Sequence, residues 1–191
     1  MVRATFREGV TRRRFTAEEF ERIAETGIFD VDPRIELLDG ELLEMAPIGA
    51  PHVLCVMRLT NIFPPKLAGR ALISVQSSFR LTDSSEPQPD LIIIRNRDYG
   101  NALPRAEDVL LVIEVSDTSL RYDRDDKLPR YAAAGIPEVW IADVARKQLT
   151  AYRSPSPDGY RQVLTLTRHA TISPLAFPDI ELRWEDIFGK V

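Results

Sequence analysis

The 191-residue sequence predicts an α/β domain with an N-terminal helix and a β-hairpin. Three observations carry that reading: a capped amphipathic helix followed by a hairpin signal near the N-terminus, short apolar runs in the middle of the chain, and a helix-to-strand transition after them. Runs such as "DLIII" and "VLLVIEVS" are continuously apolar, which suits strands covered on both faces. With 44% hydrophobic residues, this length supplies one sizeable core. Residues 16–191 are therefore expected to form a single domain behind an N-terminal arm of residues 1–15.

In chain order, "TAEEFERIAETG" sets Thr16 and Glu19 at capping-box spacing, with Phe20, Ile23 and Ala24 on one face and Gly27 as a stop. "RIELLDGELLEM" places Asp39-Gly40 between two apolar arms, the strongest short hairpin signal. Val53, Val56, Met57, Leu59, Ile62 and Phe63 recur at helical spacing until Pro64-Pro65, where the helix is expected to stop. "ALISVQSSFRL" reads as one or two strands, and "DLIII" and "VLLVIEVS" as two more. The Pro- and Ser-rich "TDSSEPQP" is a loop between them. "YDRDDKLPRYAAAG" reads as a helix ending at Gly135 ahead of the strand "EVWIAD", with Pro129 requiring a helix start close before it or a kink. "QLTAYR" and "YRQVLTL" form a hairpin around "SPSPDG", and "IELRWEDIF" closes the chain as a strand or short helix.

Composition bounds the function. A formal charge of −4 argues against a surface coated in basic residues for nonspecific nucleic-acid binding. Local basic groups remain: Arg3, Arg7, Arg12, Arg13 and Arg14 in the arm, and Arg95, Arg97 and Arg105 after the first apolar run. The single Cys55 cannot form an internal disulfide and is read as a small core residue. No run reaches membrane-span length and the N-terminus lacks a signal-peptide core, so a cytoplasmic, unexported protein is expected. His52 and His169 lack zinc-ligand spacing, and there is no Gly-x-Ser-x-Gly, P-loop or dinucleotide fingerprint.

The informative residues are acids in apolar surroundings. In a strand, Leu110, Val112, Glu114 and Ser116 share one face, so Glu114 stands in an apolar column. An unpaired buried carboxylate costs several kcal/mol, roughly, so Glu114 must meet a cation or take a proton. Asp90, after Pro89, opens the neighbouring run. Two acids at the ends of adjacent strands can share one pocket. A divalent ion would hold both ionised, and magnesium accepts one or two carboxylates while leaving room for phosphate oxygens. Alternatively, Asp90 is a turn residue and Glu114 pairs with a buried Arg or Lys. Lys127 follows in a segment able to fold back over the sheet, where it would balance phosphate charge or orient water.

The series "IELLDGELLEM", His52 in "APHVL", "PDLIII", "VIEVSDTSLRYDRDDK" and "YAAAGIPEVWIAD" closely resembles the Uma-two family of restriction endonuclease-like proteins, within the PD-(D/E)XK nuclease superfamily. The resemblance runs from about Glu19 to near the C-terminus. It implies a restriction endonuclease-like mixed β-sheet flanked by helices, with Asp90 and Glu114 as metal-binding catalytic acids. The superfamily lysine two residues after the second acid is replaced by Ser116. Lys127 is the matching lysine farther on, so a relocated catalytic lysine is expected. Glu36 matches a further acid of the family, as an added metal ligand or supporting contact, or as a solvated hairpin glutamate. Gln76 would orient a ligand or a metal-bound water, and Tyr131 would pack beside Lys127, the favoured reading, or contact a phosphate.

The resulting expectation is a magnesium- or manganese-dependent endonuclease hydrolysing DNA phosphodiester bonds, plausible as a homodimer. The competing reading is a catalytically inactive nuclease-fold module that binds nucleic acid or protein. A metal-dependent hydrolase of another phosphoester is the third.

Overall fold

A computed structural model describes residues 11–29 and 34–189. Arg3 and Arg7 of the basic arm lie outside the described residues. Helix α1 (Ala17–Glu25) opens on the capping box: the Thr16 hydroxyl accepts from the Glu19 amide and the Glu19 carboxylate from the Thr16 amide. Strands β1 (Ile35–Leu38) and β2 (Glu41–Glu44) pair antiparallel about Asp39-Gly40, both with positive φ, as a two-residue turn between twisted strands demands. Gly40 is needed twice over. Its φ is +80° and a Cβ there would sit 2.5 Å from the Arg14 Cβ and 3.0 Å from the Phe15 carbonyl oxygen. Gly40→Ala is therefore expected to lower stability by about 2 kcal/mol, measured by urea unfolding with an unchanged m-value.

Helix α2 (Ala50–Leu67) runs through Pro64-Pro65 instead of stopping there. The prolines forfeit two amide donors, but Leu67 beyond them is buried with Phe63 and Leu59, and Ala68 in the left-handed region closes the helix by donating to the Pro64 carbonyl. Burial of one more large side chain is worth about 1.5–3 kcal/mol, enough to carry the helix through its last turn.

The central sheet has the order β3 (Ala71–Val75), β4 (Leu91–Arg95), β5 (Val109–Ser116), β6 (Glu138–Asp143), β7 (Gln148–Ser156) and β8 (Gly159–Leu166). Only β5 and β6 are parallel; the other neighbours are antiparallel, so the sheet is mixed. One face packs Leu91, Ile93, Leu111, Ile113, Val115 and Trp140 under α2 and the C-terminal helix α5 (Trp184–Phe188). The opposite face packs Ile92, Ile94, Val112, Val139 and Ile141 under α4 (Leu128–Ala133). Coverage on both sides explains the unbroken apolar runs. The last segment is both things the sequence allowed, a strand β10 (Leu182–Arg183) paired with β9 (Thr171–Ile172) and then α5.

Two local features depart from simple alternation. The β4–β5 register shifts at Ile93/Ile94, which pair with Leu111 and Val109, leaving Leu110 as the extra residue. Leu110 thus packs toward the α2 face while Val109 joins Val112 on the other, so Leu110 does not share the Glu114 column. The "TDSSEPQP" loop is a buried strap rather than a solvated one: Ser85, Glu86, Pro87 and Pro89 are buried, and Glu86 exchanges main-chain hydrogen bonds with Leu37 of β1. The strap fastens the hairpin to the sheet immediately before Asp90.

Candidate active site

Asp90 sits one residue before β4, at 6% exposure. Its Oδ2 accepts a 2.8 Å hydrogen bond from the Val115 amide, fixing the end of β4 to β5. Its Oδ1 lies 2.9 Å from His52 Nε2 and 4.0 Å from the Arg34 guanidinium, yet receives no hydrogen bond of good geometry. Burial pushes this carboxyl up, but His52, the Val115 amide and Lys127 together outweigh it and hold the group below its ordinary value. Asp90 is therefore an ionised, buried and under-coordinated acid.

Glu114 is at 3% exposure on the α4 face of β5, surrounded by apolar neighbours as the strand pattern requires. Lys127 Nζ lies 2.8 Å from its Oε1 and 3.3 Å from Glu36 Oε2. The Tyr131 hydroxyl donates to the same Glu114 oxygen at 2.7 Å. Glu36 is fully buried, accepts from the Gln88 amide at 2.9 Å, and accepts a short hydrogen bond from the Tyr122 hydroxyl. It is a member of the cluster, not a solvated hairpin residue. Burial pushes the Glu114 carboxyl up to about 8, against the pull of Lys127 and with the push of Asp123 and Asp90. Burial pulls the Lys127 ammonium down, but Glu114, Tyr131, Glu36 and Asp123 overcome this and hold it well above the usual lysine range.

The local backbone explains how Lys127 reaches the sheet. After one α turn, α3 (Leu120–Tyr122), the chain widens into a π turn, Asp123–Lys127, and resumes as α4. The Leu128 amide bonds five residues back to the Asp123 carbonyl, just ahead of Pro129, which has no amide to give. The awkward proline is thus accommodated by a wider turn that buries both Asp123 and Lys127. Asp123 accepts from Ser116 Oγ at 2.7 Å and from Ser119 Oγ at 2.6 Å. Ser116, two residues after Glu114, is occupied in holding this turn. Asp125 is exposed and Asp126 half-buried.

The structure brings Asp90, Glu114 and Lys127 together at one cavity of about 520 Å³, whose lining also includes Arg34, His52 and Gln88, while Glu36 meets the cluster through Lys127. Gln76 stands apart from it. Its amide donates to the Asp90 carbonyl and its carbonyl accepts from the Gln88 side chain, while the residue lines an adjoining cavity. Sequence reasoning missed His52 and Tyr122. His52 was set aside for want of zinc-ligand spacing; its third-position placement in α2, with no acidic residue in that first turn, was the available signal.

The buried acids carry a pH signature. For Glu114 the folded value of about 8 exceeds the ordinary 4.5, so its contribution to stability is complete below about pH 4.5 and is lost as pH rises through about 8. Glu86, pushed up to about 7 chiefly by burial, adds the same sign. Asp90 is depressed, so its contribution is constant above its ordinary value and is lost only in acid. The thermal midpoint is expected to fall from pH 5 to pH 8.5, with Glu114→Gln removing the upper part of that slope in a calorimetric series.

The donor set fits a hard divalent cation in kind. Asp90 Oδ1 is a buried acceptor without a hydrogen bond, and the Glu114 carboxylate lines the same cavity. Among the described residues no group of three or more His, Cys, Asp or Glu side chains is disposed to hold a metal, so the fit is two carboxylates with water completing the shell.

Acids at the ends of adjacent strands, a buried lysine above them and a helix-flanked mixed sheet define a nuclease-like fold. A crystal structure described as "a putative nuclease belonging to DUF820 from Anabaena variabilis ATCC 29413" matches with a TM-score of 0.67 at 17% identity, covering 91% of this chain and 97% of that one. The Uma2 family model, described as "Putative restriction endonuclease", matches residues 17–185, and the chain belongs to that family. No curated protein matches it. No helix among the described residues is long and apolar enough to cross a membrane.

Proposed function

We propose that the protein is a metal-dependent endonuclease that hydrolyses DNA phosphodiester bonds, with residues 16–191 acting as one cytoplasmic domain. The observation that carries this reading is the convergence of Asp90, Glu114 and Lys127 on one cavity. Asp90 and Glu114 would hold magnesium or manganese, which supplies an activated water and offsets phosphate charge when bound. Water would form one P–O bond as the bond to the leaving sugar oxygen breaks, its proton passing to solvent while the departing oxygen takes one up from solvent. Lys127 balances charge on the phosphate oxygens or holds the attacking water. Tyr131 and Tyr122 keep Glu114 and Glu36 oriented toward it by their hydrogen bonds. Two copies would address both strands of a duplex.

A second reading, an inactive nuclease-fold binding module, is favoured by one observation: Lys127 is already matched by two carboxylates and Ser116 is committed to Asp123. Supercoiled plasmid incubated with purified protein and magnesium, manganese or chelator separates the two. Nicking with either metal and none with chelator supports the endonuclease; binding without nicking supports the module.

A further inference from the structure

A second cavity, of about 610 Å³, lies beside the hairpin and shares Gln88 with the cavity of the acid cluster. Phe20, Phe29 and Leu103 supply apolar walls, and the charged groups are three acids, Glu86, Glu21 and Glu25, and two arginines, Arg80 and Arg105. Glu86 is 3% exposed, and among the described residues its Oε2 receives no hydrogen bond. Arg80 does not satisfy it: that guanidinium bonds Glu21 at 2.6 Å and stands 3.7 Å from the Glu86 oxygen. A buried acceptor left open costs about 1–3 kcal/mol, so a donor from a ligand is the natural complement. Burial and the nearby Glu21 also push this carboxyl up to about 7, against the pull of Arg80.

We propose that this cavity receives one extrahelical nucleobase of the DNA strand, guanine above the others, read by the Glu86 carboxylate. The proposal rests on the nuclease reading of the neighbouring site. The chemistry points to a flat heterocycle that stacks on an aromatic wall while presenting N–H donors. Guanine offers a ring N–H and an amino N–H side by side, the complement of two carboxylate oxygens. The exposed Arg105, whose guanidinium pairs with no acid among the described residues, suits the adjoining phosphate. Placement agrees. Glu86 is four residues before Asp90 along the buried strap, so the two lie within about 14 Å. That is at most about four nucleotide steps at 3.4 Å each. Gln88 lines both cavities.

The test is binding without cleavage: wild type and Glu86→Gln in chelator, titrated by fluorescence anisotropy with a short single strand holding one guanine among thymines, with the guanine replaced in turn by each other base and by an abasic site. The guanine strand is expected to bind wild type at least tenfold tighter than the abasic strand. Glu86→Gln should erase that preference and gain on adenine, which an amide reads with a donor and an acceptor. A Leu103→Trp variant, which fills the cavity from a less buried wall, should bind every strand as the abasic one. Equal affinity for guanine and abasic strands, or an unchanged preference in Glu86→Gln or in Leu103→Trp, overturns the proposal. So does free guanosine monophosphate competing at the strand's own concentration, which would assign the cavity to a soluble nucleotide. Because no step requires cleavage, an inactive protein that still reads guanine would sink the endonuclease reading alone.

Discussion

Replacing Lys127 with methionine is expected to lower the unfolding free energy by about 3–5 kcal/mol at pH 8.5, the cost of leaving a buried carboxylate without its cation. Nζ lies 2.8 Å from Glu114 and 3.3 Å from Glu36, and the side chain is only 2% exposed, so water cannot replace it. The penalty should shrink near pH 6, where Glu114, with its value of about 8, is already protonated. A double variant, Lys127→Met with Glu114→Gln, should recover much of the loss, because the stranded charge is then gone. Urea unfolding of the single and double variants at both pH values measures this. A pH-independent loss that the second change does not relieve would assign the effect to packing.

Asp90→Asn and Glu114→Gln are each expected to reduce metal-dependent nicking by about a thousandfold, equivalent to about 4 kcal/mol of transition-state stabilisation. Both substitutions keep shape. Asparagine retains an acceptor for the Val115 amide, and glutamine retains one for Tyr131 and Lys127. Loss of activity with near-normal unfolding therefore separates a chemical role from a structural one. Trace cleavage identical in wild type and both variants would point to a contaminating nuclease.

Much of the fold was legible because it is written locally. Thr16 with Glu19 capped α1, Asp39-Gly40 turned the hairpin, and the apolar runs became strands covered on both sides. What escaped depends on nonlocal balance. Pro64-Pro65 reads as a stop until the burial of Leu67 is counted, and Leu110 falls out of phase only because β5 carries one residue more than β4 can pair. Within the site, Asp90, Glu114 and Lys127 were visible as charges in apolar company. The fate of Glu36 was not, because nothing local tells a hairpin glutamate that Arg130 will clamp Asp39 with bonds of 2.9 and 2.7 Å and the strap will hold Leu37, turning Glu36 inward against Lys127. His52 was obscured for the same reason: its partner Asp90 lies on another element.

The π turn links fold to chemistry. It places Asp123 and Lys127 on the same inward side, so one acid anchors the turn through Ser116 and Ser119 while the lysine reaches Glu114. A cation arriving between Asp90 and Glu114 would have to share Glu114 with Lys127 and displace its proton. Metal affinity is accordingly expected to rise with pH through about 8.

Crystals soaked in manganese at pH 8.5 and recorded at an anomalous wavelength test the central claim most directly. A single strong anomalous peak within about 2.3 Å of carboxylate oxygens from both Asp90 and Glu114 is the predicted result. A peak bound elsewhere, or none while Lys127 stays on Glu114 at saturating manganese, would contradict it.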